Sequence, residues 1–90
     1  MTWNVSFSRE AVSFLGKARR ISYEDITELI GDAVKKFGGE RININIKKLK
    51  GEWTGFHRIR KGDLRIVVEF NFDNHSAFVE RIDWRGRIYK

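Results

Sequence analysis

Arg58, Arg60, Arg65, Arg81 and Arg85 occupy positions that alternation along three short strands would place on one side of a sheet, and Tyr89 follows them. A guanidinium is planar, always charged, and matched to the oxygens of a phosphate, so the set points to phosphate binding. Other chemistries fit poorly. The chain has no cysteine, and its two histidines are badly placed for catalysis or metal binding. His57 shares the parity of Ile59, which points inward, and His75 sits in a turn. No glycine-rich phosphate loop precedes a helix, since Gly38 and Gly39 end one instead. What remains is phosphate binding, or cleavage of RNA by its own 2′-hydroxyl. In such a cleavage Arg58, Arg65 and Arg85 would stabilise the charge of the phosphorane. Tyr89 would donate or accept a proton, its phenol lowered from about 10 by nearby arginines. It would equally stack on a base or anchor the C-terminus.

These side chains need a scaffold, and the hydrophobic pattern supplies one. Trp3, Val5 and Phe7 alternate with polar residues, as in a half-buried strand. Ser8 caps a short helix with Ala11, Phe14, Leu15 and Ala18 on one face. Ser22 opens a second helix, its hydroxyl placed to accept from the N–H of Asp25. Ile26, Leu29, Ile30, Ala33, Val34 and Phe37 follow the helical repeat, and Gly38-Gly39 closes it. Ile42, Ile44 and Ile46 alternate as in an edge strand or an extended linker, and both readings stand. Trp53 either covers an edge of the core or stacks on a base; covering is the preferred reading.

Three strands follow, Phe56 to Arg60, Leu64 to Phe72 and Ala77 to Trp84, joined by the turns Lys61-Gly62-Asp63 and Asp73-Asn74-His75. Short turns between consecutive strands give an antiparallel meander. Parity sends Ile59, Ile66, Val68, Phe70, Phe78, Ile82 and Trp84 toward the helices. It sends Arg58, Arg60, Arg65, Val67, Glu69, Val79, Arg81, Asp83 and Arg85 away from them.

Ninety residues make one domain, 1–90, burying roughly 60–65% of its unfolded surface. The net charge of +6 is unevenly spread. Residues 47–65 carry Lys47, Lys48, Lys50, Arg58, Arg60, Lys61 and Arg65 against Glu52 and Asp63, whereas residues 66–80 carry only Glu69, Asp73 and Glu80. Arg81, Arg85, Arg87 and Lys90 face only Asp83 in the last ten residues. A polyanion or an acidic protein complements such a distribution, and a solubilising surface is the plainer account. The absence of cysteine, of a signal-like start and of a long apolar run leads to the expectation of a cytoplasmic protein with no membrane contact.

The run RIRKGDLRIVVEF (Arg58 to Phe70), the upstream IKKLKG (Ile46 to Gly51) and the closing WRGRIYK resemble the RelE branch of the RelE/ParE toxin superfamily. The resemblance covers essentially the whole chain. It implies an α+β, microbial-ribonuclease-like fold: an N-terminal strand and a two-helix antiparallel hairpin packed on one face of a mainly antiparallel four-stranded sheet. It also implies a toxin of a type II toxin-antitoxin system that enters the ribosome, cuts translated mRNA without metal or small-molecule cofactor, and is neutralised by a cognate RelB-like antitoxin. Carried over by position, it implies catalytic roles for Arg58, Arg65, Arg85 and Tyr89. Lys47, Lys48, Lys50, Arg60, Lys61, Arg81 and Arg87 are the expected RNA-binding side chains. Some members place lysines in the second strand, where this chain has Phe56 and Arg58. Arginine is a poor base, so the proton acceptor stays open, with Lys61 or the Lys47, Lys48, Lys50 cluster as substitutes. Two other functions compete: a ParE-like inhibitor of gyrase, and an RNA-binding module without catalysis.

Overall fold

A computed structural model describes residues 3–84. Arg85, Arg87 and Tyr89 lie outside the described residues. The chain runs β1 (Asn4–Phe7), α1 (Arg9–Lys17), α2 (Tyr23–Phe37), β2 (Asn45–Lys48), β3 (Phe56–Lys61), β4 (Leu64–Asn71) and β5 (Ser76–Trp84), with a 3-10 turn at Gly51–Trp53 before β3. The strands form one sheet of five in the order β1-β5-β4-β3-β2. β1 joins β5 in parallel, and the other neighbours are antiparallel. The expected count of four strands is therefore corrected to five. The extra strand is the Ile42–Lys47 stretch that read as strand or linker. Its ladder begins only at Asn45, while Ile42 and Ile44 already pack against the core.

Both helices start where the sequence places a cap. Ser8 Oγ accepts from the Ala11 N–H at 3.0 Å. Ser22 Oγ accepts from the Asp25 N–H at 3.2 Å, and the Asp25 carboxylate accepts from the Ser22 N–H at 2.9 Å, a reciprocal capping box. α2 buries Ile26, Leu29, Ile30 and Ala33. Each isoleucine or leucine buried this way contributes about 1.5–3 kcal/mol. Ile59, Ile66, Val68, Val79 and Ile82 meet them from the sheet in a single apolar cluster.

One expected orientation is reversed. Val68 pairs with Val79, yet the adjacent Val67 pairs with Arg81, so Glu80 is an extra residue in β5. This bulge inverts parity between the two halves of the strand. Before it, Val79 is buried in the core and Phe78 is the outward residue, opposite Glu69. After it, Arg81 and Asp83 point outward and Ile82 inward, as alternation predicts. Phe72 falls beyond the end of β4, is 50% exposed, and packs edge-on against Trp3 and Phe37.

Candidate nucleic-acid interface

No helix packs across the second face of the sheet, which α1 reaches only along the β5 edge through Glu10 and Lys17, and the strand register arranges its side chains in rows. One row runs Asn45, Arg60, Arg65, Asp83 across β2, β3, β4 and β5. The next runs Lys47, Arg58, Val67, Arg81. A third holds Phe56, Glu69 and Phe78. Lys47, Arg58, Arg60 and Arg65 thus converge on neighbouring positions of three strands. Glu69 lies at the opposite end of the face, between two phenylalanines.

The β3–β4 turn sets this register. Lys61 pairs with Leu64, leaving Gly62 and Asp63 as a two-residue loop, and Gly62 takes φ +58°. Such tight hairpins need a left-handed residue, which glycine supplies without strain. Arg65 Nη1 donates back to the carbonyls of Gly62 at 2.7 Å and Leu64 at 3.2 Å. Its guanidinium is anchored at the turn end of the face. Arg58 Nη2 donates to Asn45 Oδ1 at 2.6 Å, and its buried Nε makes no hydrogen bond. Arg60 stands directly opposite Arg65. Like charges in that relation destabilise a sheet. A bound anion would offset that repulsion, as would Asp83, which stands on the other side of Arg65 in the same row.

Val67 is fully buried although it points away from the helices. Trp53 helps explain this. Its ring packs edge-on against Phe56, with centroids 5.6 Å apart, and lies under the Arg81 guanidinium, whose carbon is 5.7 Å from the ring centre. Trp53 therefore covers part of the sheet, as preferred from sequence, but on the open face. Arg81 Nε also lies 3.6 Å from Glu10 on α1. Arg81 thus stands apart from the other arginines, tied into packing by Glu10 and Trp53.

Lys48 and Lys61 go to the other side. Lys48 pairs with His57, and Lys61 pairs with the core residue Leu64. Lys50 immediately precedes the 3-10 turn. His57 points toward the helices, between Phe37 and Phe70, as its parity predicts. Burial, and secondarily the charge of Lys48, hold its imidazole below the usual histidine range. Asn45 and Glu10 went unnoticed in the sequence. Hairpin register beginning at Gly62 gives Asn45 its place, but nothing local links Glu10 to a residue 71 positions later.

Among the described residues, no cluster of three or more histidines, cysteines or carboxylates is placed to hold a metal. No described helix is long and apolar enough to cross a membrane. The face offers fixed positive charge for phosphates at the β2–β3–β4 end, and guanidinium hydrogen bonds to orient them.

No protein-family model matches the chain, and no curated protein does. Solved structures do match. The archaeal RelE–RelB complex from Pyrococcus horikoshii is 25% identical, spans 98% of this chain and 100% of its own, and has a TM-score of 0.67. The RelB–RelE antitoxin–toxin complex from Methanococcus jannaschii is 26% identical over 93% of this chain and 94% of that one, with a TM-score of 0.64. An E. coli YafQ mutant, 13% identical, shares the fold at a TM-score of 0.66 over 99% of this chain and 100% of its own. The fold is that of RelE-like toxins, which bears out the resemblance carried by Arg58 to Phe70.

Proposed function

We propose that this chain is the toxin of a type II toxin-antitoxin system, that it cleaves mRNA on the ribosome, and that a RelB-like antitoxin neutralises it. The observation that carries the reading is the convergence of Lys47, Arg58, Arg60 and Arg65 on the uncovered face of a RelE-like sheet. The archaeal neighbours that share this fold at 25% and 26% identity are toxins bound to antitoxins, which supports the same kind of partner here.

The reaction assigned to this face is attack of the 2′-hydroxyl on its own phosphate. Arg65, fixed at the hairpin turn, and Arg58, held by Asn45, carry the charge that builds on the phosphorane. Lys47 and Arg60 hold flanking phosphates. Guanidinium groups do not shed protons near neutrality, so Arg58 and Arg65 act as electrostatic groups and not as bases. Arg85 and Tyr89 keep the catalytic places the resemblance implies, Arg85 adding positive charge for the phosphorane and Tyr89 donating or accepting a proton. Lys50, Arg81 and Arg87 are weaker candidates for backbone contacts. Lys48 and Lys61, on the helix side, would reach RNA only around the edge of the sheet.

The experiment is induction of the chain in growing cells, with primer extension on translated messages. New 5′ ends inside codons, dependent on translation and absent from an Arg58→Ala, Arg65→Ala variant, are expected. Intact messages with accumulating cleaved DNA would select the gyrase reading. RNA binding without new ends would leave a binding module.

A further inference from the structure

Arg58 and Arg65 do not take up the 2′-hydroxyl proton, and the general base that must do so is still open among the described residues. We infer that Asp83 is that general base; this rests on the nuclease reading above and adds a residue to it. Asp83 on β5 is the direct cross-strand partner of Arg65 on β4, and α1 flanks it, since Glu10 and Lys17 line a cleft with Arg81 and Asp83. Directly opposed residues in antiparallel strands have Cα atoms about 4.5–5.5 Å apart. A phosphate held by Arg65 therefore lies within reach of the carboxylate. Both residues sit at the same end of the face, one position from the terminal Leu64–Trp84 pair. The carboxylate is also held. Its Oδ1 accepts from the Trp84 N–H at 2.7 Å, which restrains the short side chain. Asp83 is half-buried, so its position is restricted by packing as well.

The other described candidates are worse placed. His57 lies on the helix side. His75 packs on Trp3 in the β4–β5 turn, its ring 5.5 Å from the indole. Glu69 is on the right face but four residues along β4 from Arg65, about 13 Å at the rise of a strand. Glu10 is engaged with Arg81. Asp63 lies in the hairpin turn, outside the paired ladder. Lys61 is on the helix side, and Lys47 is two strands from Arg65.

The step balances as follows. Asp83 takes the hydrogen of the 2′-hydroxyl, and the 2′-oxygen forms a bond to phosphorus. The bond from phosphorus to the 5′-oxygen breaks, and that oxygen takes a proton from water or from an acid on the protein. The products are a 2′,3′-cyclic phosphate and a 5′-hydroxyl. The plain alternative is that Asp83 only neutralises Arg65 and steadies the end of β5. In that case its replacement alters stability and leaves the chemical step alone.

The test is single-turnover cleavage of ribosome-bound mRNA by the parental chain, Asp83→Asn and Asp83→Ser. Asparagine keeps an Oδ1 acceptor for the Trp84 N–H, serine offers a shorter one, and neither serves as a base. Loss of a general base lowers the rate by about 100-fold or more. Both variants are expected to lose that much while loading onto ribosomes as the parent does. A second substrate carries sulfur in place of the 5′-bridging oxygen at the scissile bond. Thiolate leaves without protonation, so this substrate rescues a lost acid and not a lost base. The defect is expected to persist on it. Either variant cleaving within a few-fold of the parent overturns the assignment, as does rescue by the sulfur substrate. A parental chain that cuts no translated mRNA overturns the nuclease reading, and the base with it.

Discussion

Arg81 lies directly opposite Val67 across β4 and β5, and its guanidinium carbon stands 5.7 Å from the centre of the Trp53 ring. Val67 is buried on a face that no helix packs across, so this pair and the edge contact between Trp53 and Phe56 seal what would otherwise be wet. Trp53→Ala is expected to lower stability by about 1–2 kcal/mol, less than for a fully buried tryptophan because the ring is half-exposed. Urea unfolding measures it. Arg81→Met keeps the apolar stem over the ring and is expected to cost less than Arg81→Ala. If Trp53→Ala is neutral, the indole does not cover Val67 in solution.

Arg60 and Arg65 face each other with like charge. Arg60→Gln removes the repulsion and one phosphate contact together. Its melting temperature is expected to equal or exceed the parent's. Its RNA affinity is expected to fall, with the slope of log affinity against log salt shallower by about 0.7–0.9, the share of a single phosphate contact. A variant that loses stability and keeps the slope would show that Arg60 serves the fold and touches no phosphate.

Much of this architecture was legible because each local signal agreed with the next. The Ser22 capping box, the uninterrupted stripe from Ile26 to Ala33 and the tight turn at Gly62 required no long-range information. From that turn, period two correctly places Arg58, Arg60 and Arg65 on one face and His57 on the other. Phe78 and Val79 were reversed for one physical reason. A bulge is a property of two strands in register, and the sequence around Glu80 carries no glycine or proline to announce it. The fifth strand was ambiguous because Asn43, Asn45 and the lysines suit an edge and a linker equally. Arg81 reads on parity as one more phosphate ligand. Its engagement with Glu10 depends on where α1 comes to rest against β5, which period two does not encode.

His57 couples stability to pH. Its folded pKa is lowered from 6.5, first by burial and then by Lys48, while the unfolded chain keeps the ordinary value. Between the two the unfolded state binds more protons, so stability rises with pH there. The contribution is complete above the unfolded value and is lost as pH falls through the folded one. Protonation would also put a charge between Phe37 and Phe70. Acidification from pH 7.5 to 5 is therefore expected to lower the urea midpoint more for the parent than for His57→Gln. Parallel pH profiles of the two proteins would remove His57 as the cause.

Ser8 ties the first helix to the irregular point of β5, and its loss should be felt in both. Its Oγ caps α1 by accepting from the Ala11 N–H, and donates to the Glu80 carbonyl at 2.6 Å. Its own N–H donates to the Val79 carbonyl at 2.9 Å. Ser8→Ala removes the two side-chain bonds and keeps the backbone one. A lost cap costs about 0.5–2 kcal/mol, and an unpaired part-buried carbonyl adds to it, so about 2 kcal/mol in total is expected. Ser8→Asp restores a cap acceptor and has no hydrogen to give Glu80, so it separates the two terms. The bulge decides which half of β5 turns its charges outward. Ser8→Ala should therefore raise amide exchange at Glu80 and Arg81 as well as in the first turn of α1. Faster exchange in α1 alone would mean that the bulge is held by the β4–β5 ladder, independent of Ser8.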